Sequence, residues 1–128
     1  MNLEEIKLKL FEKLKPSGWD RVFKSFIFSS DFDKIITDLW NLSKTDKRFT
    51  PPIKDIFKAF EECPYNKLKV IIMDSEPYAQ LGVADGIAFS SSKTNNLPTA
   101  LQYMFKQLNG TQWDSLDPDL KRWSNQGV

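Results

Sequence analysis

Residues 68–90 read LKVIIMDSEPYAQLGVADGIAFS, and this stretch decides the fold. Its beginning, Leu68–Met73, is short, rich in β-branched side chains and almost continuously apolar, which is typical of a central strand in a parallel sheet. The residues after Met73 would then leave the carboxyl end of that strand, where open α/β sheets place their ligand-binding crevices. We therefore expect a ligand site between residues 74 and 90.

Two helices are predicted near the amino terminus. Asn2 is the expected N-cap of the first helix, which Pro16 ends. Apolar residues at helical spacing predict another helix over about residues 31–43, preceded by a capping box at Ser30 and Asp33. The residues of these helices expected to face the core are Leu3, Ile6, Leu10, Leu14, Phe32, Ile35, Ile36, Leu39 and Trp40.

Further helices are predicted on both sides of the strand. Pro51 and Pro52 suit the first positions of a helix that Pro64 closes. After the strand, a helix is expected over about residues 98–108 and a short one from Pro118. Their expected core residues are Ile53, Ile56, Phe57, Phe60, Leu101, Met104, Phe105 and Leu108.

The order of these elements implies an α/β domain. One strand cannot make a sheet, however, because its amides and carbonyls would have no partners. We therefore expect residues 1–128 to form a single domain that is incomplete at its C-terminus, where residues 123–128 stop before a further strand. Residues 90–96, SSSKTNN, are predicted to be a mobile polar loop.

The composition excludes several kinds of chemistry. The 128 residues include no histidine and one cysteine, Cys63. A disulfide framework, a cysteine-based zinc site and a histidine general base are therefore all excluded, and no cofactor is expected. Any catalysis must use carboxylates, hydroxyls, amines or the backbone.

Charge and targeting signals bear on the partners and the compartment. The net charge of +1 is small for a nucleic-acid-binding protein, although residues 44–69 hold seven basic and four acidic side chains. The first fifteen residues mix charged residues with Leu and Ile, which is unlike a signal peptide or a membrane anchor. An intracellular protein without a membrane partner is expected.

The segment MDSEPYAQLGVADGIAFS, residues 73–90, resembles the first signature of the uracil-DNA glycosylase family. That signature is a Gly-Gln-Asp-Pro-Tyr-His loop followed by a His-Gly-Leu-Ala-Phe-Ser run. The similarity continues through residues 49–72, through LPTALQYMFKQL at 97–108 and through WSNQGV at 123–128. The resemblance implies a three-layer α/β sandwich, of which the chain holds the N-terminal helices and the first parallel strand. It also implies an enzyme that flips uracil out of DNA and hydrolyses its glycosidic bond.

Three positions of the implied site keep a suitable side chain. By the resemblance, Phe89 takes the position that stacks on the base, and Tyr78 the position that excludes the methyl group of thymine. Glu76 takes the place of the aspartate that orients the attacking water, and it is the candidate catalytic residue. Its carboxylate is displaced by one methylene, and a misplacement of about 1 Å can reduce a rate ~10²-fold.

Other positions of the implied site have changed. Relative to the family pattern, Ser75 replaces the base-contacting Gln, Asp74 a Gly, Ala79 and Asp85 two His residues, and Ala100 a phosphate-binding Ser. Three of the acids, Asp74, Glu76 and Asp85, match the spacing of no metal-binding loop, so no metal is expected. Acids at this face also oppose DNA backbone binding, and we expect weaker DNA binding than in active relatives.

Three hypotheses follow from the resemblance. The family's uracil-reading Asn and its anion-stabilising His would lie after residue 128. The chain is therefore expected to be a degenerate binding or assembly module in DNA repair or replication, with another polypeptide supplying the remaining strands. The alternative is one half of a split, active glycosylase in which Glu76 activates water. A fragment without a function of its own is the third.

Overall fold

The computed structural model describes residues 2–45, 48–94 and 97–128, and its regular structure is helical. The α-helices are α1 (Leu3–Leu14), α2 (Asp20–Ile27), α3 (Ser30–Ser43), α4 (Lys58–Glu62), α5 (Thr99–Asn109) and α6 (Lys121–Ser124). Short 3₁₀ helices lie at Ile53–Asp55, Tyr65–Lys67 and Gly110–Ser115. Within the described ranges, no helix has both the length and the apolar character needed to cross a membrane.

The helices predicted from capping and periodicity are confirmed. The Asn2 side chain accepts a hydrogen bond from the Glu5 amide at the start of α1, 3.2 Å away. Helix α3 begins one residue earlier than expected, because Ser29 rather than Ser30 caps it by accepting from the Phe32 amide. Helix α5 follows Pro98 and ends before Gly110.

Two other helix predictions need correction. The helix expected between Pro51 and Pro64 is interrupted, because Phe57 leaves helical geometry and its ring packs against Phe23 and Phe32. Only α4 remains of it as an α-helix. In α5, Leu108 was expected in the core, but it is 65% exposed near the end of the helix.

A first apolar core joins α1, α2 and α3 to the segment around α4. Its buried members are Leu10, Leu14, Trp19, Ile27, Phe32, Ile36 and Phe57. Trp19 is central, since its ring contacts Phe60 and Tyr65 and its indole N–H donates to the Cys63 carbonyl at 2.8 Å. The Cys63 thiol is itself buried beside this core.

A second, smaller core lies toward the C-terminus. It consists of Leu101, Phe105 and Leu120, with Ile87 and Phe89 packed against it. The chain between residues 83 and 92 therefore runs from the surface of the first core to the surface of the second. This stretch forms one wall of the cleft described below.

The structure does not confirm the strand predicted over Leu68–Met73 or the expected α/β sheet. The segment is extended, but the part of the chain that the structure describes provides no neighbouring strand. The Lys69 and Val70 amides both donate to one acceptor, the Gly127 carbonyl, at 2.8 and 3.0 Å. Beyond them the segment is open, with Ile71 67% and Met73 87% exposed. A strand is defined by its partner, and a single apolar run cannot supply one.

Gly86 lets the cleft wall approach the first core closely. Its φ of +99° is in the left-handed region, and an added Cβ would overlap the Asp55 carbonyl oxygen and lie 2.9 Å from the Lys58 Cβ. Gly82 in the same loop has φ +81° but no atom within 4 Å of its Cβ position. A side chain at Gly82 would therefore meet only the cost of a positive φ, whereas a side chain at Gly86 would also overlap its neighbours.

We predict that Gly86→Ala destabilises the fold more than Gly82→Ala. Both substitutions should lower the free energy of unfolding by about 1 kcal/mol, because alanine is strained in the left-handed region. Gly86→Ala should lose at least about 1 kcal/mol more, because backbone must move to relieve the overlap. Urea unfolding of the two variants measures the difference, and equal losses would contradict the close packing of Gly86.

Candidate functional site

A cleft of about 280 Å³ opens between residues 74–90 and the turn at residues 51–56. It contains five of the site residues identified in the sequence: Asp74, Ser75, Glu76, Tyr78 and Phe89. The rest of its lining consists of Pro51, Ile56, Pro77, Ala84, Gly86, Ile87, Ala88 and Ser90. The structure therefore places the predicted base-binding and catalytic positions around one cavity.

The remaining predicted site positions lie outside the cleft lining. Ala79 is exposed on the loop, and Ala100 is exposed in the first turn of α5. Asp85 is fully buried behind the cleft wall. Across the residues that the structure describes, no group of three or more His, Cys, Asp or Glu is arranged to hold a metal ion.

Phe89 has an unusual backbone conformation. Its φ is +63°, a value that non-glycine residues adopt only at a cost of about 1–3 kcal/mol. The Tyr78 hydroxyl donates to the Phe89 carbonyl at 2.8 Å. Such strain persists only where surrounding contacts fix it, and here they connect the two aromatic residues of the predicted base site.

Tyr78 stays protonated at neutral pH. Burial, followed by the negative charges of Asp74 and Asp85, raises the pKa of Tyr78 to about 12. The phenol therefore remains a hydrogen-bond donor to the Phe89 carbonyl throughout the physiological range. Its role in the cleft is that of a neutral wall rather than an acid or base.

Asp85 organises the loop that carries Phe89. Its Oδ1 accepts from the Ile87 amide at 3.1 Å, and its Oδ2 accepts from the Ser90 hydroxyl at 2.7 Å and the Ser92 amide at 2.8 Å. Burial alone would raise the pKa of Asp85, but these hydrogen bonds outweigh it and hold the pKa below its ordinary value of 3.8. The side chain is therefore a buried carboxylate on which three hydrogen bonds from residues 87–92 converge.

The same network reaches the C-terminal core. The Ser90 hydroxyl also accepts from the Leu120 amide at 3.0 Å, and the Ser91 amide donates to the Pro118 carbonyl at 2.9 Å. Ser90 and Ser91 are both fully buried. The prediction of a mobile polar loop is therefore wrong for them, because buried acceptors take up their donors. Asn95 and Asn96, at the end of that predicted loop, lie outside the described residues.

Glu76 lies at the cleft with its side chain exposed. Its carboxylate forms no hydrogen bond or ion pair with any residue in the described ranges, so it is free to accept from water or a ligand. No lysine or arginine lines this cleft in those ranges. A negatively charged group in this cleft would therefore meet no cationic side chain from the described residues.

Sequence reasoning missed part of this site. Pro51 and Ile56 were assigned to a helix, and their contribution to the cleft follows from the interrupted geometry near Phe57. Ser90 was assigned to a polar loop, although a serine hydroxyl five residues after Asp85 is an able donor for its carboxylate. The sequence therefore allowed either a mobile loop or a hydrogen-bonded one, and the burial of Ser90 in the structure shows the second.

We predict that Asp85→Asn lowers the free energy of unfolding by about 2 kcal/mol at pH 7. The amide nitrogen of Asn is a donor and cannot accept from Ser90 or Ser92. Because the pKa of Asp85 is lowered in the folded state, its contribution is present above the unfolded pKa and is lost as pH falls through the folded value. The gap between wild type and variant should therefore shrink below about pH 4.

Urea unfolding between pH 3 and pH 7 measures this gap. Asp114→Asn, which changes an exposed acid in the 3₁₀ helix Gly110–Ser115, is the matched control and should have little effect. A gap that stays constant down to pH 3 would contradict a stabilising charge at Asp85.

Comparison with known proteins identifies the relatives of this chain. It is 34% identical over 114 residues to the uracil-DNA glycosylase of Borrelia duttonii, a match that covers 87% of this chain and 51% of that protein. The uracil-DNA glycosylase of Campylobacter fetus is 33% identical over 131 residues, covering 100% of this chain and 53% of the relative. That of Acinetobacter baylyi is 32% identical over 122 residues, covering 94% and 52%.

The matches include the residues that line the cleft, and they extend well beyond them. No family model matches the sequence. The chain spans about half the length of the curated relatives it matches. Along most of its own length, the chain is a homologue of proteins named uracil-DNA glycosylase.

Proposed function

We propose that this chain is a uracil-DNA-glycosylase-like module with a degenerate site, which acts in DNA repair or replication by binding rather than by catalysis. Another polypeptide completes its fold. The observation that carries the proposal is the open extended segment after Leu68, with its apolar side chains in solvent. The cleft with Tyr78 and Phe89 supplies the site at which the completed module would hold a base.

The open segment has the properties of a strand that awaits a partner. Among the described residues, the backbones of Ile71, Ile72 and Met73 form no hydrogen bond with another backbone group. Ile72 faces a small cavity that Leu120 and Trp123 also line. Ile71 and Met73 are the more exposed. An extended peptide that pairs with such an edge gains main-chain hydrogen bonds and covers the apolar side chains.

The composition of the cleft supports binding over catalysis. Asp74 and Glu76 lie near its opening, no cation lines it in the described ranges, and the position of the base-contacting amide holds Ser75. Tyr78 and Phe89 nevertheless keep a neutral aromatic wall of fixed geometry. A planar base can pack against such a wall even where bond cleavage is slow.

A split, active glycosylase is the second candidate. The observation in its favour is the free carboxylate of Glu76, which lies in the same cleft as the aromatic pair. In that function Glu76 orients the attacking water, and the complementing polypeptide supplies the groups that read the uracil and stabilise its anion.

We predict that the chain binds the unmatched half of the Campylobacter fetus uracil-DNA glycosylase, used as the complementing polypeptide. Ile71→Lys should weaken this complex at least about tenfold, because it would bury an unpaired charge at the interface. Leu108→Lys is the matched control, since Leu108 is 65% exposed against 67% for Ile71 and lies on α5. Isothermal titration calorimetry measures both, and equal weakening, or no complex at all, would contradict completion along residues 69–73.

Release of uracil from single-stranded uracil-containing DNA distinguishes the two candidates. We expect the complex to release no uracil, and Glu76→Asp to leave it inactive. Uracil release that Glu76→Gln abolishes and Glu76→Asp increases would instead support the split enzyme. In either case Phe89→Ala should reduce retention of a uracil-containing oligonucleotide by the complex.

A further inference from the structure

A second cleft, of about 460 Å³, lies beside the first. Its size is within the usual range of ligand sites, which are mostly apolar with a few polar groups. Its lining is Ser43, Arg48, Phe49, Thr50, Pro52, Ile53, Leu81, Gly82, Ala84 and Lys93. None of these residues was identified as functional from the sequence.

The two clefts share their walls. Ala84 lines both, Pro51 lines the first, and its neighbour Pro52 lines the second. The loop that includes Gly82 and Gly86 also contributes one glycine to each cleft. A ligand that occupies the first cleft and continues past Ala84 therefore enters the second.

The charges of the two clefts differ in sign. The first carries Asp74 and Glu76, whereas the second carries Arg48 and Lys93. The Arg48 side chain forms no ion pair or hydrogen bond within the described ranges. The Lys93 Nζ lies 3.3 Å from the Asp55 Oδ2, in a pair whose lysine side chain is half exposed. An anionic ligand would therefore meet one unpaired guanidinium and one weakly held ammonium.

We propose that the second cleft binds the nucleotide next to the uracil on the same DNA strand. Its base or sugar packs on the apolar wall that includes Phe49 and Leu81, and its phosphate lies at Arg48 and Lys93. This inference rests on the proposed function, in which the uracil occupies the first cleft. It also explains how a DNA strand can approach the first cleft, which Asp74 and Glu76 line. The phosphate would lie at the cations of the second cleft, away from these acids.

The test uses the full chain and single-stranded oligonucleotides of equal length with one central uracil or one central thymine. Fluorescence anisotropy gives the affinity as a function of salt. Arg48→Gln should weaken binding several-fold and reduce the slope of log affinity against log salt by about 0.7, the value for one lost contact to a single-stranded phosphate. Arg21→Gln, which changes an arginine on α2 that lines neither cleft, should leave the slope unchanged.

A substitution of the opposite sign provides a second measurement. Asp55→Asn removes the acid that faces Lys93 and keeps the size of the side chain. It should strengthen binding of the same oligonucleotides and steepen their salt dependence. Weaker binding after this substitution would count against a phosphate at Lys93.

The outcomes separate this inference from the proposed function. Equal effects of Arg48→Gln and Arg21→Gln, or no binding at low salt, would overturn the nucleotide site. Completion by the second polypeptide, measured without DNA, would be unaffected. If uracil and thymine oligonucleotides bind equally but only Arg48→Gln lowers the slope, the second cleft binds a nucleotide and uracil recognition in the first cleft fails.

Discussion

One buried carboxylate, that of Asp85, holds residues 85–92 together and connects them to the C-terminal core. It gathers the Ile87 and Ser92 amides and the Ser90 hydroxyl. Through Ser90 it fixes the Leu120 amide. These bonds, together with the one from the Ser91 amide to the Pro118 carbonyl, connect the wall of the first cleft to the C-terminal core and hold the loop that carries the strained backbone of Phe89.

This role gives a structural meaning to Asp85, at the position where the resemblance to the family implies a histidine. A neutral imidazole offers one acceptor, whereas a carboxylate accepts several hydrogen bonds at once. Three donors converge on Asp85, which an imidazole could not satisfy. Asp85 is therefore suited to holding the loop in place.

The parts of the fold that local signals determine could be predicted. Asn2 and Ser29 cap their helices with side-chain oxygens, and the apolar residues predicted for the core of α1, α3 and α5 are buried or partly buried except Ile35 and Leu108, which are exposed. The strand could not be predicted by the same means. The preference of residues 68–73 for an extended backbone is local, but the ladder needs partners from elsewhere, and the described chain has none.

The candidate site also has a part that could be predicted from the sequence and a part that could not. The resemblance grouped Glu76, Tyr78 and Phe89 in one predicted site, and the structure places all three at one cleft. The burial of Ser90 and the grouping of Arg48 with Lys93 depend on contacts between segments distant in sequence. Neither has a signature in composition or periodicity.

The proposed completion along the open segment between Val70 and Met73 would also make the stability of the chain depend on the concentration of another molecule. A strand that pairs only with the folded chain adds its binding free energy to the stability of the fold. At 100 times its dissociation constant, such a partner adds about 2.7 kcal/mol, a sizeable share of the stability of a small domain. The amount of folded chain would then follow the abundance of its partner, so that supply of one polypeptide limits the other.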